Sequence, residues 1–112
     1  CEVLFIVEGY VDRLKFVQFG IPNTVAILGW KISDIQIEKI KMQSKIKYIV
    51  SALDNDECGR KGSKYLQSIF GEKYVRFSYM KGIKDPGEMN EENFRKMLSR
   101  TIGKIKLAQD MV

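Results

Sequence analysis

The chain has no histidine, so any acid–base or metal chemistry must come from carboxylates, lysines and arginines. The residues placed to do it are Glu8, Asp12, Asp54 and Asp56. Asp54 and Asp56 are two residues apart, so in extended chain both side chains point to the same side. Carboxylates held that close repel one another, and a divalent cation relieves the repulsion. Hard oxygen donors without imidazole or thiolate favour Mg2+ or Mn2+ over zinc. A pair of helix-capping aspartates in a solvated loop is the competing reading, and the spacing leaves both open. Glu8 follows the apolar run Val3–Val7 directly, so burial should raise its affinity for a proton. That suits a general acid or base or a metal ligand, with a salt bridge to a lysine as the alternative. Asp12 lies one helical turn further, within reach of the same site, although taken by itself it reads first as a first-turn acid favoured by the helix dipole.

Further chemistry-bearing residues surround these four. Lys84-Asp85-Pro86-Gly87-Glu88 adds a third acidic loop. Arg60, Lys61 and Lys64 follow the Asp54–Asp56 loop, where Arg60 either contacts phosphate or pairs with an acid. Gly9, Gly29 and Gly59 allow close backbone approach to a ligand, or serve ordinary loop geometry. The two cysteines, Cys1 and Cys58, form neither a zinc site nor a disulfide framework, and a reduced cytosolic compartment is the default. The run from Asp54 to Gly59 imitates an EF-hand loop, but its fifth position is Cys58 and its twelfth is Tyr65. No dinucleotide or P-loop glycine pattern follows any strand.

Four apolar runs are expected to position these residues as strands: Val3–Val7, Thr24–Leu28, Tyr48–Leu53 and Tyr74–Tyr79, the last at an edge. Helices are expected between them. One spans Tyr10 to Phe19, with Val11, Leu14 and Val17 as its core stripe and Gly20 as its stop. A capping box at Ser33–Gln36 opens a second, running to about Ser44. A third runs from Gly59 to Phe70 with Tyr65, Leu66, Ile69 and Phe70 inward, and Asn90 caps a fourth bearing Phe94, Met97, Leu98 and Ile102. Strand–helix alternation predicts an α/β fold: a mostly parallel four-stranded sheet with helices on both faces. In such sheets ligands bind beyond the carboxyl ends of the strands, and three of the four ends here are acidic.

The 112 residues suit one domain, residues 1–112, with its core over about 3–98. The first residues are already strand-like, so the chain reads as a fragment of a longer protein. Apolar residues make up 45% and charged residues 29%, and no apolar run approaches the roughly 18 residues of a membrane span. The net charge of +5 fits either solubility or a polyanionic partner.

Taken in order, these motifs resemble the Toprim family, whose members occur in bacterial primases, topoisomerases, nucleases and recombination proteins. Glu8-Gly9-Tyr10-Val11-Asp12, Leu28-Gly29, Asp54-Asn55-Asp56-Glu57-Cys58-Gly59-Arg60 and Lys84-Asp85-Pro86 are similar to the bacterial primase pattern in particular. The resemblance implies a Rossmann-like Toprim fold and a primase-type nucleotidyltransferase that makes RNA primers on single-stranded DNA. It implies Mg2+ or Mn2+ held by Glu8, Asp12, Asp54, Asp56 and Asp85, with Glu8, Asp54 and Asp56 catalytic. Arg60, Lys61 and Lys84 would contact phosphate or nucleic acid. Template and nucleoside triphosphates would be engaged through the full-length cytoplasmic protein, with a replicative helicase as a further partner and no membrane. A stand-alone Toprim nuclease and a non-enzymatic metal- or nucleic-acid-binding module are the alternatives. Two positions depart from the pattern: Gly87 stands where a second aspartate is usual, and Trp30 where a small hydroxyl residue follows Leu-Gly.

Overall fold

A computed structural model describes residues 3–29, 31–79, 81–83 and 89–110, the last three of these by backbone alone. The four strands are β1 (Val3–Val7), β2 (Thr24–Ala26), β3 (Tyr48–Ser51) and β4 (Tyr74–Arg76). They form one parallel sheet in the order β2-β1-β3-β4, which leaves β4 at an edge as expected. The helices are α1 (Tyr10–Gln18), α2 (Asp34–Lys41), α3 (Glu57–Phe70) and α4 (Glu91–Asp110), with a 3-10 turn at Gly71–Lys73.

Alternation along the strands builds a core on each face. Phe5 and Val7 of β1 and Val50 of β3 point to the side covered by Phe16 and Phe19 near α1 and by Phe94, Met97 and Ile105 of α4. Leu4 and Ile6 of β1 and Ile49 of β3 point to the side covered by α2 and α3, where Leu66 is fully buried. Five aromatic rings, Phe5, Phe16, Phe19, Phe77 and Phe94, form one cluster in the first core, with successive centroids 4.9–5.6 Å apart. Such pairs add to stability beyond the area they bury.

The chain leaves β1 in one direction over one face to reach β2. It then runs back over the other face to β3 and on to β4. Reversing direction while changing face gives each crossover the same hand, as chirality demands. The reversal also makes β1 and β3 neighbours whose connections diverge, which opens a crevice at their carboxyl ends.

Helix signals in the sequence act as read. Ser33 Oγ accepts from the Gln36 N–H at 3.2 Å, and Gln36 Oε1 accepts from the Ser33 N–H at 3.0 Å. Asn90 Oδ1 accepts from the Asn93 N–H at 2.8 Å. Gly20 and Gly71 stop α1 and α3 at positive φ, 94° and 55°. The inward face of α1 is a correction. Val11 and Leu14 are 66% and 61% exposed, and the buried residue is Phe16, followed by Phe19 beyond the helix end. The two aromatics bury more apolar surface than the smaller stripe, so they win the core. On α4 the fourth inward position goes to Thr101 rather than Ile102, because Thr101 Oγ1 both donates to the Met97 carbonyl and accepts from the Ser78 N–H.

Candidate metal and phosphate site

Glu8 and Asp54 meet at the crevice between β1 and β3. Strand pairing places them there: Ile6 is in register with Ser51, and the ladder continues through the Ala52 N–H to the Ile6 carbonyl at 2.8 Å. Beyond it, the Asp54 N–H donates to Glu8 Oε1 at 3.4 Å, across 46 residues of sequence. The Asp54 side chain is also hydrogen-bonded to the Glu8 carboxyl. Two carboxyl groups in such contact share a proton or a cation.

Burial pushes the Glu8 carboxyl above the ordinary glutamate range, and the charges of Asp56 and Asp12 push it further. The bonds from the Asp54 side chain and N–H act in the opposite direction and only partly offset this. The rise expected from the sequence is therefore present, with desolvation as its main cause. Asp54 Oδ1 is turned into the protein and buried.

Asp12 and Asp56 approach the pair but are engaged locally. Asp12 Oδ2 accepts from the Gly9 N–H at 3.3 Å, tying down the start of α1. Asp56 is the N-cap of α3, its Oδ1 accepting from the Gly59 N–H at 2.8 Å. The capping reading therefore holds for Asp56, while its charge still acts on Glu8. Among the described residues, no three acidic or thiol side chains are arranged ready to hold a metal ion. The donors themselves suit a hard divalent cation: all are carboxylate oxygens, two are already in contact, and the free thiol of Cys58 faces solvent. Lys84, Asp85, Gly87, Glu88, Trp30 and Cys1 lie outside the described residues.

The glycines divide in purpose. Gly59 is buried against the Asp54 backbone, so its close approach is to the acidic loop itself. Gly9 is in ordinary extended conformation with room for a side chain. Gly29 follows Leu28, which is left-handed at φ 58° while its N–H donates to the Glu8 carbonyl at 2.7 Å. This strained residue seats the loop after β2 beside Glu8.

Arg60, Lys61 and Lys64 are exposed on one face of α3. With Glu57 they line an open depression of about 230 Å³ one turn beyond the acidic loop. Lys31 extends the positive charge toward this helix, with its ammonium 5.0 Å from the Tyr65 ring.

Two residues of the site were not singled out from the sequence. Asn55 Oδ1 accepts from Arg76 Nη2 at 3.3 Å, and Asn55 Nδ2 donates to the Ile83 carbonyl at 3.3 Å. Only the register of β4 on β3, Ser51 opposite Arg76, brings Arg76 to this loop.

A family model described as Toprim-like matches residues 5–93. A DNA primase of Thermotoga maritima is 33% identical over 102 residues, covering 86% of this chain and 18% of that protein. A Mycoplasma pneumoniae protein described as an uncharacterized MG010 homolog is 36% identical over 91 residues, covering 79% of this chain and 42% of that one. Among solved structures, the zinc-binding and RNA polymerase domains of Aquifex aeolicus primase superpose with a TM-score of 0.70 at 25% identity, covering 88% of this chain and 26% of that one. A small Toprim domain protein from Bacillus stearothermophilus superposes with a TM-score of 0.65 at 24% identity, covering 88% of this chain and 84% of that one, which speaks to fold alone. The chain thus spans less than half the length of these curated relatives.

Proposed function

The chain belongs to the Toprim-like family, as a Toprim domain of the bacterial DNA primase type, and from that premise we propose that it is the metal-binding catalytic domain of a DNA primase. The reaction is nucleotidyl transfer: a 3′-hydroxyl attacks the α-phosphate of a nucleoside triphosphate, and pyrophosphate leaves. The template is single-stranded DNA, the product an RNA primer, and template and triphosphates are engaged through the whole protein, in the cytoplasm and alongside a replicative helicase.

The observation that supports this reading is the meeting of Glu8 and Asp54 at the crevice where the connections of β1 and β3 diverge. Mg2+ or Mn2+ would be held by Glu8 and Asp54, with Asp12 and Asp56 as nearby carboxylates and Asp85 as the further ligand that the family pattern implies. Bound there, the cation supplies charge neutralisation for the attacking and departing oxygens. The protein's own residues do the remaining work. Glu8, whose proton affinity is raised by burial, is suited to take up the hydroxyl proton. Asp54 orients Glu8 through its side chain and its N–H. Arg60 and Lys61, with Lys84, would attract the triphosphate or template backbone.

The test is primer synthesis on single-stranded DNA by the full-length protein that carries this chain. Glu8→Gln and Asp54→Asn should each lower synthesis by about 100-fold or more, the range for loss of one acid–base group, without a fall in melting temperature that would signal unfolding. Wild-type rates in both variants would overturn the reading. The 112-residue chain by itself should not prime, since it offers little extended groove for template.

A further inference from the structure

The loop bearing Asp54 and Asp56 is fastened at its middle residue. Asn55 accepts from the guanidinium of Arg76, the last residue of β4, and donates to the carbonyl of Ile83. Arg76 is itself held from behind, because its carbonyl accepts from Lys104 Nζ of α4 at 3.2 Å. Ile83 runs directly into Lys84-Asp85 in the sequence. One side chain therefore reaches from between two acids to the edge strand, and to the segment leading into a third.

The chemistry of asparagine fits this post. Its amide offers an acceptor and two donors at once, whereas an aspartate there would offer acceptors only. An aspartate would also add a fourth negative charge beside Glu8, Asp54 and Asp56, raising the repulsion the site already carries. Both bonds are at 3.3 Å, long for their kind, so their value lies in orientation rather than in stability.

We infer that Asn55 is a positioning residue that ties the Asp54–Asp56 loop to β4 and to Ile83, so that the carboxylates on either side of it are presented to a cation in fixed orientation. This rests on the metal-binding reading above. Arg76 acts through Asn55, holding its amide plane in the orientation that reaches Ile83.

The experiment compares wild type, Asn55→Ala, Arg76→Gln and the double variant by calorimetric titration with Mn2+ and by amide hydrogen exchange. Asn55→Ala should weaken Mn2+ binding about tenfold while the metal-free melting temperature stays within about 4 °C. Exchange should rise together in segments 52–58 and 81–83, with segment 94–101 of α4 unchanged as the reference. Arg76→Gln should shift both readouts the same way, and the double variant should be no worse than Asn55→Ala, since the two side chains act as one unit. A general structural role would instead lower the melting temperature and loosen segment 94–101 as well. Unchanged exchange at 81–83 in Asn55→Ala overturns the inference, as does unchanged Mn2+ affinity in a protein that binds Mn2+ normally. If wild type takes up no Mn2+, the metal-binding reading is what fails, and the exchange of the two segments by itself decides whether Asn55 joins them.

Discussion

Gly59 presses directly on the backbone of Asp54. A Cβ built on Gly59 would stand 1.6 Å from the Asp54 carbonyl oxygen and 2.6 Å from the carbonyl carbon. The obstacle is main chain, so no rotamer change relieves it. Gly-to-Ala inside a helix ordinarily stabilises by up to about 1 kcal/mol. Here the sign should reverse: Gly59→Ala is expected to lower unfolding stability by about 3 kcal/mol, as overpacking does. Urea denaturation measures it. A neutral or stabilising effect would mean that α3 does not seat on the acidic loop as described.

Metal binding should appear as stabilisation. At free Mn2+ one hundred times the dissociation constant, a native-state ligand adds about 2.7 kcal/mol and raises the melting temperature accordingly. Asp54→Asn with Asp56→Asn should abolish that rise. The choice of asparagine matters at position 56, since it keeps a cap acceptor for the Gly59 N–H. Asp56→Ala would in addition lose about 1 kcal/mol of helix stability without metal. A double variant that responds to Mn2+ like wild type would dismiss the ligand assignment.

The pH dependence of Glu8 has a definite sign. Its carboxyl is raised above the ordinary value of 4.5, so the native state binds this proton more tightly than the unfolded chain. The stability this contributes is fully present below about pH 4.5 and is lost as pH rises through the higher folded value. Metal-free Glu8→Gln should therefore be more stable than wild type at neutral pH, with the gap closing as the solution is acidified. Chemical denaturation at several pH values in chelator reads this. A gap that widens on acidification would show that Glu8 is held as a carboxylate.

The basic face of α3 is expected to respond to salt. If Arg60, Lys61 and Lys64 each neutralise one phosphate of a single strand, each contributes about 0.7 to the slope of log affinity against log salt. Replacing all three with alanine should reduce that slope by about 2, measured by fluorescence anisotropy on single-stranded DNA. The same slope in wild type and triple variant would place the nucleic acid elsewhere on the molecule.

The sequence was most legible where burial and chemistry coincide. Strand order aside, four apolar runs yielded four strands, because a parallel sheet covered on both faces needs continuous apolar sequence. The runs overshoot the ladder: Ile27, Leu53 and Phe77 are buried core residues beyond the strand ends. Hydrophobicity reports burial, and hydrogen-bonded pairing stops earlier. On α1 two apolar stripes compete, and only the partner surface decides between Val11 with Leu14 and Phe16. The meeting of Glu8 and Asp54 was legible because each follows closely on a strand end, where ligands bind in this architecture. The capping engagement of Asp56 was one of two readings that spacing allowed. Asn55 with Arg76 was not legible, because that contact depends on a register between strands that no local pattern encodes.

The middle position of β1 has a consequence for synthesis. Of the four strands, it leaves the ribosome first, yet it ends with a neighbour on either side. One neighbour, β2, follows after 16 intervening residues, but the other, β3, starts only at Tyr48. Until then Val-Leu-Phe-Ile-Val presents one open edge and an uncovered apolar face, the kind of segment that pairs with other nascent chains. Slow passage through residues 8–47 would prolong that exposure, so in this topology the interval between two strands is itself a window for association between chains.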